Sequence, residues 1–147
     1  LAAGATEVKR KGLANAHFLN KDAATLDGSE QYDFITTFDA VHDQVRPDLV
    51  LSGIAKSLRS GGRYLCVDMA ASSDVAGNID HPLGPFMYTV SCMHCMTVSL
   101  AAGGMGLGAM WGEETTYEYL HKAGFRSIET NQLAHDIQNN WYVVRKE

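Results

Sequence analysis

The chain has 147 residues, of which 46% are hydrophobic, 20% charged and 9% aromatic, with a formal net charge of -5 at neutral pH. That is enough for one globular unit with a real core, and it excludes wholesale disorder. An acidic balance, with a pI near 5.6, also argues against duplex nucleic acid, whose phosphates demand clustered Lys and Arg. No secretory leader is legible, and three cysteines (Cys66, Cys92 and Cys95) cannot complete a disulfide framework. A cytoplasmic, reducing compartment is therefore expected. The sequence opens on Leu1 rather than Met, so a piece of a longer protein is the expectation.

In chain order, Ala5 to Ala14 is helix-compatible with a charged face, and Gly12 limits it. Ala16 to Asn20 reads as a short strand, and Asp27-Gly28-Ser29-Glu30 as a turn. Tyr32 to Phe38 (YDFITTF) is aromatic and β-branched, which predicts a strong strand. A polar loop, Asp39 to Gln44, leads to a helix opened by Pro47, with Leu51, Ile54, Ala55 and Leu58 at helical spacing. Arg59 and Gly61 give that helix a C-terminal signature.

Gly62 to Asp68 (GRYLCVD) predicts a second strand that ends in an acid. A helix over Glu113 to Ala123 places Glu113 and Glu114 in its first turn and His121 and Lys122 in its last, which complements the helix dipole. Phe125 to Thr130 and Trp141 to Arg145 read as the last strands, with Asp136 to Asn140 as turn material between them. Strand, helix, strand, then helix, strand, strand defines an α/β chain with a mostly parallel sheet and an antiparallel strand at the end.

One stretch breaks the rhythm. From His81 to Gly112 there is no Asp, Glu, Lys or Arg. Ser, Thr, His and Gly interrupt its apolar run, so a membrane helix is not expected. A buried helical insertion over residues 70–112, acting as a lid rich in adaptable Met, fits better.

The motifs inside it are weak. Cys92-Met93-His94-Cys95 has C-x-x-C spacing, but no second pair supplies a structural zinc site, so the cysteines read as small buried hydrophobes and no metal is expected. Gly104-Met105-Gly106-Leu107-Gly108 lacks the preceding strand that a nucleotide loop requires and reads as a hinge or tight turn. His135-Asp136 sits beside turn residues and is expected to order them. His42-Asp43 is more informative, because it follows the strongest strand. In open α/β sheets ligands bind beyond the carboxyl ends of the strands, and Asp22, Phe38, Asp39, His42, Asp43 and Asp68 all fall toward that edge.

YDFITTFDAVHDQ, a Pro-started helix and LRSGGRYLCVD together resemble the fourth-to-fifth-strand portion of class I S-adenosylmethionine-dependent methyltransferases. GLANAHFLNKDAATL resembles the third strand and acidic loop of that family. The segments from SLAAGGMGLGAMWGEE to HKAGF, and HDIQNNWYVVRK, resemble its subgroup with an N-terminal winged-helix domain. The resemblance implies an incomplete Rossmann-like sheet, strands 3 to 7 of seven, with the glycine-rich loop, the ribose-binding acid and the winged-helix domain expected ahead of Leu1. In the implied order 3-2-1-4-5-7-6, strand 3 would stand roughly 14 Å from strand 4, at about 4.8 Å per strand. Strand 3 and the first helix would then be unsupported.

The same resemblance implies S-adenosyl-L-methionine as cofactor. Asp22 and Ala23 would meet the adenine, Phe38 and Asp39 would flank the methionine part, and His42 would stand at the rim between cofactor and acceptor. His42, then Asp43, are the implied catalytic bases. The acceptor is expected to be a small, apolar or aromatic molecule, with no nucleic acid or membrane as partner, and an exposed strand edge makes a homodimer an expectation. The fragment is expected to be inactive alone. Two other readings stay open at this point: a non-catalytic methyltransferase-like interaction module, and a Rossmann-type nicotinamide oxidoreductase.

Overall fold

A computed structural model describes all residues, Leu1–Glu147. Its centre is a four-stranded sheet built from β1 (Tyr32–Phe38), β2 (Leu58–Met69), β3 (Ser127–Leu133) and β4 (Asp136–Arg145), in the order β1-β2-β4-β3. β1 and β2 are parallel, while β4 lies antiparallel between β2 and β3. This is the 4-5-7-6 part of the expected order, so the sheet is the mixed α/β arrangement that the sequence implies.

The β1–β2 crossover is α2 (Pro47–Ser57). Pro47 opens it where a missing N–H costs nothing, and Asp48 and Lys56 complement its dipole. Its inner face carries Val50, Leu51 and Ile54, which pack with Leu58, Tyr64, Cys66, Trp111, Leu120, Phe125, Tyr142 and Val144 as the main core. Tyr64 and Phe125 stack with ring centroids 6.0 Å apart. α5 (Gly112–Lys122) adds Leu120 and Thr116 to the buried set. β2 is central and largely buried, whereas β1 is an edge strand with Tyr32, Phe34 and Phe38 exposed.

The charge-free stretch forms α3 (Gly84–Val90), a π-helical turn (Ser91–Cys95) and α4 (Met96–Ala101). It has its own small core: Met87, Cys95, Ala109 and Met110 pack with Met69 and Ala71 at the end of β2. The glycine-rich segment behaves as a turn. Gly103, Gly106 and Gly108 all have positive φ, and at Gly108 a Cβ would run into Ser91 and Met96. No helix is long and apolar enough to cross a membrane.

Three local expectations are corrected. Residues 16–20 form no strand; they belong to an irregular stretch between α1 (Ala2–Arg10) and a 3₁₀ turn (Ala23–Thr25). A strand needs a hydrogen-bonded neighbour, and none is available there. The 136–140 segment is not a turn but the first half of β4, because Asn139 and Asn140 pair with Met69 and Asp68 of β2. Pairing on both sides overrides the low β-propensity of these polar residues. The helix expected to run to Arg59 instead ends at Ser57, and β2 starts at once at Leu58.

Candidate active site

The carboxyl ends of β1 and β2 bring His42, Asp39, Asp43 and Asp68 together. Asp68, next to last in β2, is fully buried, and His42, in the loop after β1, is 2% exposed. His42 Nδ1 stands 2.7 Å from Asp68 Oδ1, a buried hydrogen bond in which the protonated Nδ1 donates. That oxygen also accepts from Met69 N at 3.0 Å. With Nδ1 so committed, the other ring nitrogen is the one left for chemistry. Nε2 lies 3.3 Å from Asp43 Oδ1.

Burial disfavours the charged imidazole, but the Asp68 hydrogen bond and the charges of Asp68, Asp43 and Asp39 outweigh it. His42 therefore titrates above the ordinary histidine value of 6.5. Asp39 is pushed upward, first by burial and then by the negative charge of Asp68. Its backbone sits at φ 44°, a left-handed conformation uncommon outside glycine, and its Oδ1 is buried with no hydrogen-bond partner. A strained residue with an orphaned carboxylate oxygen at a strand end offers a ready partner for a cationic ligand group.

Of the other expected site residues, Phe38 directly precedes Asp39, whereas Asp22 and Ala23 lie on a separate turn. Phe38 is more than half exposed and meets Trp141 edge-on, with centroids 6.1 Å apart. Asp22 and Ala23 are exposed at the 3₁₀ turn, where the Asp22 carboxylate accepts from Ala24 N at 2.9 Å. That turn rests on α2, as Gly53 shows: a Cβ there would run into Leu26. No hydrogen bond or ion pair joins Asp22 to Phe38 or Asp39. His42 itself is buried beneath the strand ends rather than standing at a rim.

Two residues gain weight from the fold. Asp68 falls at the end of β2, one residue before Met69 closes it, but its role as the partner that orients His42 depends on a contact across 26 positions. Cys95 is buried, as a small hydrophobe would be, yet its Sγ falls beside His42 and Asp43. Burial, then contact with Asp43, pushes its thiol up to about 11. Cys92 is exposed, so the C-x-x-C spacing does not make a pair. His135-Asp136 does not order a turn over 136–140: the Asp136 carboxylate accepts from Gln138 N, Asn139 N and Trp141 Nε1, all within β4.

A cleft of about 540 Å³ begins at Ala70, two residues beyond Asp68, and is walled by His81, Gln132, Leu133, Asp136 and Ile137. Its volume lies in the range of small-molecule pockets.

A parallel β-α-β unit with polar groups gathered beyond its strand ends belongs to the class of open α/β ligand-binding domains. Within that class, residues 2–124 match a family described as "Methyltransferase domain". The chain belongs to that family. Solved structures agree on the fold. An O-methyltransferase family protein from Burkholderia thailandensis superposes with a TM-score of 0.72 at 16% identity, covering 99% of this chain and 40% of its own. PigF with SAH gives 0.71 at 17%, with coverages of 99% and 40%. An O-methyltransferase family 2 protein from Planctomyces limnophilus, in complex with apigenin, gives 0.69 at 16%, with coverages of 99% and 39%. This chain thus spans about 40% of the length of those proteins. A sequence comparison with curated proteins finds no match.

Proposed function

We propose that the chain is the C-terminal part of the catalytic domain of an S-adenosylmethionine-dependent methyltransferase of the winged-helix subgroup, acting on the oxygen of a small apolar or aromatic acceptor. The observation that carries this is the buried His42–Asp68 pair at the carboxyl ends of β1 and β2. S-adenosylmethionine, when bound, supplies an electrophilic sulfonium methyl. The residues present fit such a group: Asp39 offers its unpartnered carboxylate oxygen to the ammonium of the methionine part, Phe38 an exposed apolar ring, and Asp22 and Ala23 the adenine side.

His42 acts as general base. Asp68 fixes the ring with Nδ1 protonated and stabilises the imidazolium, so that Nε2 takes the proton from the acceptor hydroxyl. Asp43, beside Nε2, is the second candidate. The uncharged insertion excludes water, and alignment of the reacting groups supplies much of the rate. The apigenin bound by the similar Planctomyces protein supports a small aromatic acceptor, and the cleft of about 540 Å³ that begins at Ala70 has room for one. The chain alone holds one wall of the cofactor cleft and is inactive by itself.

The test is transfer of labelled methyl to phenolic acceptors by the complete protein. His42→Gln is expected to lower turnover at least about 100-fold while leaving S-adenosylhomocysteine affinity within about twofold. Unchanged turnover removes His42 from the mechanism.

A further inference from the structure

His42 carries a second kind of chemistry. His42, Asp43 and Cys95 each present a ligand atom, and these atoms lie within 4.8 Å of one another. Because Nδ1 is held by Asp68, the imidazole can bind an ion only through Nε2. Nε2 and Asp43 Oδ1 are 3.3 Å apart. Two ligand atoms at about 2.1 Å from a tetrahedral centre stand about 3.4 Å apart, so that separation already suits a shared ion. Asp43 Oδ1 is buried and has no hydrogen-bond partner, an orphaned acceptor beside Nε2.

The arrangement has the other marks of a metal site. The Asp68 carboxylate on Nδ1 is the outer partner that a metal-binding histidine commonly has. Imidazole, carboxylate and thiolate form a borderline donor set that suits zinc and disfavours magnesium and calcium. His42 and Cys95 are buried, whereas the Asp43 side chain is 33% exposed, which gives an ion an entry path on that side.

We propose that His42 Nε2, Asp43 Oδ1 and Cys95 Sγ form a three-ligand site for a zinc-class divalent ion, which fastens the helical insertion to the loop after β1. Binding releases to solvent the thiol proton of Cys95 and, where the imidazole is charged, the Nε2 proton of His42, and forms metal–thiolate and metal–imidazole bonds. It also occupies the nitrogen lone pair needed for catalysis, so stoichiometric zinc blocks methyl transfer and a chelator restores it. This consequence rests on the proposed role of His42; the site itself does not.

The experiment is a Co²⁺ titration of the full 147-residue chain under reducing, anaerobic conditions. The expected result is a thiolate-to-cobalt charge-transfer band, with the intense visible bands of a four-coordinate ion, saturating at one equivalent and bleached by Zn²⁺. Cys92→Ser is expected to leave the band intact and Cys95→Ser to abolish it. Asp68→Asn should weaken Co²⁺ binding about 10- to 100-fold. No charge-transfer band in the wild-type chain overturns the proposal, and so does a band that survives in Cys95→Ser. The two readings of His42 separate cleanly. A cobalt band with normal turnover in His42→Gln of the complete protein keeps the site and removes the base. No band with lost turnover removes the site and keeps the base.

Discussion

At His42, four charged or ionisable groups share a small buried volume, and their balance sets a pH dependence with a definite sign. His42 titrates above 6.5 in the folded chain. The stabilisation from its charged form is therefore complete below the unfolded value and is lost as pH rises through the folded one. Asp39 titrates above 3.8 when folded, so between that value and its raised one the native state holds the extra proton and stability again falls as pH rises. Urea unfolding of the chain is expected to show stability falling as pH rises above 6.5, with the slope flattened in His42→Gln; a flat wild-type profile contradicts this. Asp68→Asn weakens a charged, buried hydrogen bond and is expected to cost about 1.5–3 kcal/mol. It should also lower the His42 pKa in an NMR titration, and an unshifted value would separate the two residues.

Among the elements, the insertion depends on backbone contacts that tolerate no side chain. Gly112, at the start of α5, has φ 80°, and a Cβ there would collide with the backbone of Ser72 and Ser73. Those same residues hold the helix start: Ser73 N and Ser72 Oγ donate to the Glu114 carboxylate, and Glu113 N donates to Ala71 O. Gly112→Ala is expected to cost at least about 2–3 kcal/mol in urea unfolding, from strained φ and the clash together. A change below about 0.5 kcal/mol would show that the loop yields freely. The same elements show what sequence can carry. β1 and β2 were legible because aromatic and β-branched runs write their own conformation, and α5 because its charges follow its dipole. The first half of β4 was not, since Asp136 to Asn140 have turn-like composition and become strand only by pairing with β2. Nor was the burial of His42, which follows from Asp68 arriving across the β1–β2 crossover. Cys95 reads as a small buried hydrophobe, and it is buried, but nothing in the sequence placed it beside His42 and Asp43.

For the molecule as a whole, stability is unevenly distributed. The core lies between α2, α5 and the sheet, whereas α1 has no buried residue and residues 11–20 form no regular structure. A nine-residue helix that buries no residue is marginal in water. Backbone amides of residues 1–20 are therefore expected to exchange with deuterium near the unfolded rate, while those of β2 and β4 require global opening. Strong protection of residues 1–20 in a monomer would mean that they dock where the structure leaves them free. The central claim, that Asp39 and its neighbours form one wall of an S-adenosylmethionine site, is tested most directly by titrating S-adenosylhomocysteine into the isotopically labelled chain and following its amide resonances. Saturable shifts centred on Asp22, Ala23, Phe38 and Asp39 are the expected result, even if affinity is only millimolar. Shifts confined to other regions, or none at all from a folded sample, would contradict it.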